Sequence, residues 1–158
     1  MDLLDSFLEN SLENWVCFVD GSTLGSAQCC SRGSSGSAAL LILKSNPPQI
    51  KTKSYSFPED TTNNVAELTA VSLALDLVSE LKEPKKNIRI MTDSKYVQGM
   101  LDLNWNAKLN VELIQSLKDR ILSIESNISF HWVKGHSKIV WNEMVDKLAK
   151  DAALHSKK

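Results

Sequence analysis

The sequence has few cysteines and no long apolar run, and these absences exclude several common classes of protein. Three cysteines occur in 158 residues, and two of them, Cys29 and Cys30, are adjacent, so the spacing suits neither a disulfide framework nor a metal-thiolate site. We therefore expect free thiols and an intracellular, cytoplasmic location, with the nucleus as the alternative. No apolar stretch approaches the ~20 residues of a membrane-spanning helix, and the acidic N-terminus lacks the features of a secretory signal. We expect no membrane partner.

The chain also lacks the excess positive charge of a strongly basic nucleic-acid-binding protein. Its 18 Lys and Arg residues are balanced by 19 Asp and Glu residues, which gives a net charge of −1. Since affinity for nucleic acid comes mainly from phosphate neutralisation, any site for a polyanion here must be local or must use bound cations. The length suits one domain, and there is no internal repeat.

Hydrophobic periodicity predicts five strands and four helices within one domain. The strands are predicted at 15–20, 37–44, 50–57, 88–93 and 128–133, and the helices at 63–82, 94–103, 110–124 and 141–154. We expect a mixed five-stranded α/β sheet with helices on both faces, in which the first three strands are antiparallel and the last two run parallel to the first. Gly21 and Ser22 are expected to begin a long loop after the first strand.

The segments outside this domain are short. Residues 1–14 have apolar residues at helical spacing, which predicts an appended N-terminal helix. The domain itself is expected at 15–155, and residues 156–158 form a C-terminal tail.

Four acids stand out by their positions in these elements. Asp20 and Asp93 end two apolar strands, Glu67 lies on the apolar stripe of the first helix, and Asp146 lies beside the stripe of the last helix. Parallel strands place their carboxyl ends at one edge of a sheet, where sites form in open α/β folds. Gathered carboxylates repel one another, and a divalent hard cation such as Mg²⁺ relieves the repulsion. The acids therefore predict a site for two Mg²⁺ ions, with Mn²⁺ as the alternative.

Each acid also has a structural explanation of its own. Asp20 before Gly-Ser suits a turn, and Asp93 before Ser suits a helix cap. Glu67 in the first turn of a helix suits the helix dipole, and Asp146 suits an exposed surface position. All four explanations would have to hold at once, which favours the shared metal site.

The motifs that carry these acids resemble those of a known family. In order, the chain has FVDGS, TTNNVAEL, MTDSKYV, HWVKGH and NEMVDKLA. The set is similar to the successive motifs of type 1 ribonuclease H, which includes free-standing enzymes and domains fused to reverse transcriptases. The resemblance runs from Val16 to Ala153. It implies an RNase H-like fold and an endonuclease that hydrolyses the RNA strand of RNA/DNA hybrids with two metal ions, leaving 5′-phosphate and 3′-hydroxyl ends.

The resemblance also implies roles for individual residues. The catalytic and metal-binding acids would be Asp20, Glu67, Asp93 and Asp146. His136 matches an auxiliary catalytic histidine that assists proton movement or the release of product and metal, and Glu143 matches an acid near the second metal.

A further set of residues matches substrate contacts of the family. These residues are Gly21, Ser22, Ser26, Thr62, Asn63, Asn64 and Lys95. Asn63 and Asn64 match paired amides in the minor groove of the hybrid, where 2′-hydroxyls distinguish RNA from DNA. Thr62 matches a contact to a DNA-strand phosphate, although a turn and a helix cap would explain this cluster too. Ser26 stands where Asn is frequent and Lys95 where Gln is frequent, so both depart from the pattern.

The largest departure is the absence of the basic, Trp-rich insertion that many free-standing enzymes carry between the second and third helices. The chain is in this respect similar to the versions in some retroviral reverse transcriptases. We expect a monomer with weak, salt-sensitive hybrid binding, unless a polymerase or another domain supplies extra grip. Two alternatives stay open: a non-catalytic module of the same fold, and the RNase H domain of a larger reverse transcriptase. A 3′ exonuclease of the superfamily would need an acid at position 22, where this chain has Ser22.

Overall fold

The computed structural model describes residues 15–24, 32–43, 47–81, 87–134 and 139–155. The predicted N-terminal helix within residues 1–14 and the tail at 156–158 lie outside the described residues.

The order of strands and helices agrees with the prediction. The main strands are β1 (Trp15–Thr23), β2 (Ser35–Leu43), β3 (Gln49–Ser56), β4 (Asn87–Thr92) and β5 (Asn127–Trp132). The helices are α1 (Asn63–Ser79), α2 (Lys95–Leu101), α3 (Val111–Ser123) and α4 (Val140–Leu154). Two further strands of two residues each, Arg32–Gly33 and Thr61–Thr62, pair with each other in an antiparallel ladder.

The expectation that a loop begins at Gly21 is wrong. β1 continues through Gly21 and Ser22 to Thr23, where it pairs with Ser35 of β2. The reason is that β2 begins at Ser35, earlier than predicted, and so supplies backbone partners to these positions. Turn-forming residues therefore lie here within a paired strand.

The sheet has the predicted topology, with the strand order β3-β2-β1-β4-β5. β1 pairs antiparallel with β2, which pairs antiparallel with β3, whereas β4 pairs parallel with β1 and with β5. In the parallel pair, Phe18 lies opposite Met91. Asp20 and Asp93 each follow two residues later, so the two acids reach the same edge of the sheet in register.

The central strand β1 is buried on both faces, which explains its continuous apolar sequence. On one face, Cys17 and Val19 lie in a core that includes residues of α1, α2 and α3. On the other face, Val16 and Phe18 lie in a core with Val145 of α4. The predicted placement of helices on both faces is therefore confirmed.

Helix α4 lies directly on the backbone of β2. A Cβ atom added to Gly36 would lie 2.4 Å from the backbone nitrogen of Ala153 and 2.5 Å from the carbonyl oxygen of Ala149. Only glycine permits this approach, which brings Asp146 on the same helix towards the sheet edge that carries the other acids. None of the helices described is both long and apolar enough to cross a membrane.

Candidate active site

Three carboxylates meet just beyond the last residues at which β1 and β4 pair with each other, which are Phe18 and Met91. Asp20 belongs to β1, Glu67 to the first turns of α1, and Asp93 follows β4 directly. One oxygen from each of the three lies within 4.8 Å of the others. The acids come from three separate elements, so their meeting results from the packing of α1 against a parallel strand pair. An all-carboxylate set of oxygen donors fits Mg²⁺ or Mn²⁺.

Gly21 joins two of these acids through its backbone. Its N–H donates to Oδ1 of Asp20 at 3.0 Å and to Oε2 of Glu67 at 3.1 Å. A Cβ atom on Gly21 would lie 2.4 Å from the carbonyl carbon of Ala66 and 2.4 Å from the backbone nitrogen of Glu67. In addition, the Ser37 hydroxyl of β2 donates to the Ala66 carbonyl at 2.6 Å. The start of α1 therefore lies on the sheet with no space for a larger residue at position 21.

Burial makes the ionised forms of these acids unfavourable. Asp20 and Glu67 are 4% and 5% exposed. Burial is the main cause that raises the pKa of Asp20 to about 11, and repulsion from Glu67 and Asp93 adds to it. Burial also raises the pKa of Glu67 well above its usual value, against the opposing effect of the Gly21 N–H. A divalent cation among these oxygens would reverse the balance by favouring the charged forms.

The fourth predicted acid, Asp146, lies in the same region. A hydrogen bond with Asp146 contributes to the raised pKa of Asp20. Asp146 also lines a cleft of about 220 Å³ with Asp93, Asn142, Glu143 and Lys150. Asp146 therefore borders one cleft with Glu143, the acid that the resemblance places near the second metal.

Lys150 was not singled out from the sequence as a site residue. Its Nζ lies 2.9 Å from Oδ2 of Asp146, in an i, i+4 ion pair along α4. This hydrogen bond raises the pKa of the Lys150 ammonium. The four-residue spacing was the available signal, because side chains at i and i+4 are neighbours on a helix.

Asp93 is held through its backbone, and it does not cap the following helix. The N-cap of α2 is Ser94, whose hydroxyl accepts from the Val97 N–H at 3.1 Å, so the capping explanation of Asp93 is wrong. The indole N–H of Trp132 donates to the Asp93 carbonyl at 3.0 Å. The ring of Trp132 also lies 4.8 Å from the Lys95 ammonium, a cation–π contact. Trp132 is thus a site residue that the sequence alone did not reveal.

The described residues that are predicted to contact substrate lie in or next to the elements that carry these acids. Thr62 caps α1 by accepting from the Val65 N–H at 3.3 Å, and Asn63 and Asn64 are the first two residues of that helix. Both asparagines are partly exposed, as is Ser22 in β1, whereas Lys95 is exposed and Gly21 is buried. Ser26 and His136 lie outside the described residues.

A second cleft adjoins the start of α1 on the side of the connection between α2 and α3. It measures about 190 Å³, and its lining residues include Asn64, Tyr96, Lys108 and Asn110. The amide of Asn110 donates to the Tyr96 hydroxyl at 3.1 Å. One lysine and four neutral polar side chains, with Asn106 as the fourth, thus border the cleft beside the predicted minor-groove contacts.

The connection between α2 and α3 is short, in agreement with the missing insertion. Trp105 in this connection packs on α2, since a Cβ atom added to Gly99 would lie 2.1 Å from the indole ring. About half of the Trp105 side chain (49%) is still exposed. Packing therefore accounts for one face of this ring.

The sequence matches one family model over most of its length. The model is described as RNase H, and it matches residues 13–154. A Ribonuclease H of Stutzerimonas stutzeri (strain A1501) is 34% identical over 160 residues, which cover 92% of this chain and 96% of that protein.

Solved structures share the fold. LC11-RNase H1, determined in complex with an RNA/DNA hybrid, superimposes with a TM-score of 0.74 at 18% identity, over 89% of this chain and 97% of that one. A foamy viral protease-reverse transcriptase, determined in complex with double-stranded DNA, gives a TM-score of 0.68 at 22% identity, over 91% of this chain and 96% of that one. These likenesses confirm the predicted architecture.

Proposed function

The chain belongs to the RNase H family, and on that premise we propose that it is an endonuclease that hydrolyses the RNA strand of RNA/DNA hybrids. The observation that carries the proposal is the meeting of Asp20, Glu67 and Asp93 within 4.8 Å at one sheet edge. Asp146 completes the set from α4. A non-catalytic module of the same fold would have no reason to keep buried acids that repel one another.

The four acids would hold two divalent cations, Mg²⁺ or Mn²⁺. Bound there, the two ions supply an activated water and stabilise the leaving oxygen, which gives 5′-phosphate and 3′-hydroxyl ends. The chain holds some of these acids more rigidly than others. Asp20 and Glu67 are held by the Gly21 N–H and are buried, whereas the Asp146 side chain is 37% exposed. Asp20 and Glu67 thus offer fixed oxygens, and Asp146 borders the cleft that opens to substrate.

Helix α1 would connect catalysis with recognition of the RNA strand. Thr62, Asn63 and Asn64 begin the helix, and Glu67 follows three residues after Asn64. Asn64 and Glu67 are therefore separated by about 4.5 Å along the helix axis, which is less than the spacing of successive phosphates in a nucleic-acid strand. Amide groups at this position would contact 2′-hydroxyls and base edges in the minor groove beside the acids. The hybrid bound to LC11-RNase H1 supports this class of substrate.

The low positive charge of the chain suits such a site. With a net charge of −1, most of the charge that faces the scissile phosphate must come from bound cations. Lys95, held over Trp132 beside Asp93, would add one phosphate contact. We expect a monomer whose affinity for the hybrid depends strongly on salt. A polymerase or another domain would increase this affinity.

The experiment that tests the proposal compares labelled RNA/DNA, RNA/RNA and DNA/DNA duplexes, each with Mg²⁺, Mn²⁺ or EDTA. We expect cleavage of the hybrid's RNA strand alone, blocked by EDTA. Asp93→Asn should reduce the rate by about a thousandfold or more, since it removes a ligand of the reacting cation. The matched control is Asp102→Asn, an exposed acid at the end of α2. Normal Mg²⁺-dependent cleavage by the Asp93 variant would exclude this assignment.

A further inference from the structure

Lys150 stands out because it is a cation in a cleft that is otherwise bordered by acids and an amide. The cleft is lined by Asp93, Asn142, Glu143, Asp146 and Lys150. The Lys150 ammonium contacts Asp146 at 2.9 Å, and the two side chains are 55% and 37% exposed. The Lys53–Glu80 and Arg120–Asp76 ion pairs join the α1 region to β3 and α3, and none of their residues lines this cleft. The Lys150–Asp146 pair, in contrast, borders the acids.

The position of this ammonium conflicts with a second cation at Asp146. A lysine ammonium 2.9 Å from Oδ2 uses an oxygen that a divalent cation would need as a ligand. It also repels any cation that approaches the same carboxylate. Without a metal, the negative charge that remains among these acids is still favoured by a positive charge nearby, and Lys150 supplies one beside Asp146. The pair thus favours the metal-free protein and opposes metal binding.

The ion pair can also be broken at little cost. Both side chains are more than a third exposed, and exposed ion pairs contribute little to stability because water competes with them. The lysine stem is flexible, so the ammonium can leave Asp146 without movement of α4.

We propose that Lys150 is a built-in counter-cation of the acid cluster, which holds Asp146 in the metal-free protein and is displaced when a divalent cation binds there. The inference rests on the proposed function, since it takes Asp146 as a metal ligand. Lys150 is on this view a positioning residue that sets the cation concentration at which the second site fills. Removing its charge should therefore tighten binding at that site.

The test measures Mn²⁺ binding by titration calorimetry in three variants. Lys150→Met removes the ammonium, Lys150→Arg keeps a cation, and Lys147→Met removes the same charge from another residue of the same helix. Relative to Lys147→Met, we expect Lys150→Met to tighten the weaker Mn²⁺ site about two- to fivefold, the range that an exposed ion pair implies. The Mg²⁺ midpoint for hybrid cleavage should fall by a similar factor, and Lys150→Arg should stay near wild type.

A second measurement follows thermal unfolding in EDTA. There, Lys150→Met should melt about 1–2 °C below Lys147→Met, because it loses the counter-cation of the metal-free state. Unchanged or weaker Mn²⁺ binding by Lys150→Met would overturn the inference while leaving the proposed function intact, provided that the wild type still cleaves the hybrid. Failure of the wild type to bind Mn²⁺ would overturn both.

Discussion

The backbone N–H of Gly21 donates to Oε2 of Glu67 at 3.1 Å, across 46 residues of sequence. The same N–H donates to Oδ1 of Asp20 at 3.0 Å. One backbone group therefore links the central strand to the first helix at Asp20 and Glu67, both of which are buried. This link holds the two carboxylates side by side in spite of their repulsion, and it makes the residue type at position 21 critical.

Gly21→Ala should destabilise the protein and reduce cleavage together. The added Cβ would lie 2.4 Å from backbone atoms of Ala66 and Glu67, so β1 and α1 would have to separate. Overpacking of this kind costs about 1–3 kcal/mol, and more when backbone must move. We expect a loss of about 2 kcal/mol or more in the free energy of unfolding, measured with urea in EDTA.

The matched control for this variant is Gly99→Ala. There the added Cβ meets the ring of the half-exposed Trp105, which would have to shift, but no acid of the site lies beside it. We expect a loss of stability of about 1–3 kcal/mol as well, but normal cleavage by the folded protein. Equal loss of cleavage in the two variants would show that the close approach at Gly21 has no special importance for the site.

The metal-free protein should become less stable as the pH rises. The pKa of Asp20 is about 11 in the folded protein against an ordinary value of 3.8, so between these values the folded state binds a proton that the unfolded state releases. The stabilisation is complete below about pH 4 and is lost progressively towards pH 11. The raised pKa of Glu67 acts in the same direction, with Asp93 and Asp146 facing the pair.

Urea unfolding in EDTA between about pH 5 and pH 8 measures how the free energy of unfolding changes with pH. A single titrating group contributes at most about 1.4 kcal/mol per pH unit to this slope. Asp20→Asn should flatten the slope and should stabilise the metal-free protein at about pH 8 by at least about 1 kcal/mol. Saturating Mg²⁺ should flatten the wild-type slope as well. If wild type and Asp20→Asn had the same slope, Asp20 could not be the source of the pH dependence.

Trp132→Phe should slow hybrid cleavage while leaving the fold intact. Phenylalanine keeps a ring beneath Lys95 but lacks the N–H that donates to the Asp93 carbonyl. The lost hydrogen bond is worth about 0.5–1.5 kcal/mol, which corresponds to a fall in kcat of about two- to tenfold. Trp132→Leu should in addition raise KM for the hybrid, because Lys95 then loses its aromatic contact.

Steady-state kinetics on a labelled hybrid separate the two effects. Trp105→Phe is the control, since its ring packs on Gly99. If Trp132→Phe had the kcat of the wild type, Trp132 would have no role in holding Asp93.

His136→Ala should slow cleavage by about 100-fold, the lower end of what a general acid or base contributes, without abolishing it. The expectation comes from the KGH motif and its ten-residue spacing to Asp146, because His136 lies outside the described residues. A histidine that assists proton movement or release contributes about this much to a rate, whereas loss of a metal ligand costs far more. Mn²⁺ binding should be unchanged in this variant.

The control is His155→Ala, whose ring contacts the Asp151 carbonyl at the end of α4. Single-turnover and steady-state rates should be compared, so that release is separated from the chemical step. Equal rates in the two variants would rule out a catalytic role for His136.

The sequence predicted the strands and helices of this fold well because each follows from the local spacing of apolar residues. Alternating and continuous apolar runs defined the strands, and the spacing of Val71, Ala74 and Val78 placed Glu67 on the inward side of its helix. All four are buried. The order of elements then implied the parallel pair that carries Asp20 and Asp93, since crossover connections are right-handed.

Errors arose where a residue's backbone partners could not be read from composition. Gly21 and Ser22 suit a turn by composition, yet β2 pairs with them and keeps them in β1. Asp93 suits a cap by position, yet Ser94 caps the helix. In the first case a strand distant in sequence supplies the backbone partners, and in the second the neighbouring serine caps the helix. Composition does not show which of these contacts forms.

The sequence by itself determined which residues are acids, which faces of the elements are apolar, and in which order the strands follow, because these properties depend on side chains a few positions apart. Only the tertiary structure decided that the Gly21 N–H holds Glu67, that Trp132 holds Asp93, and that the Lys150–Asp146 pair borders a cleft with Asp93. Such contacts depend on how closely elements approach and which rotamer each side chain adopts, and packing of the whole chain sets both.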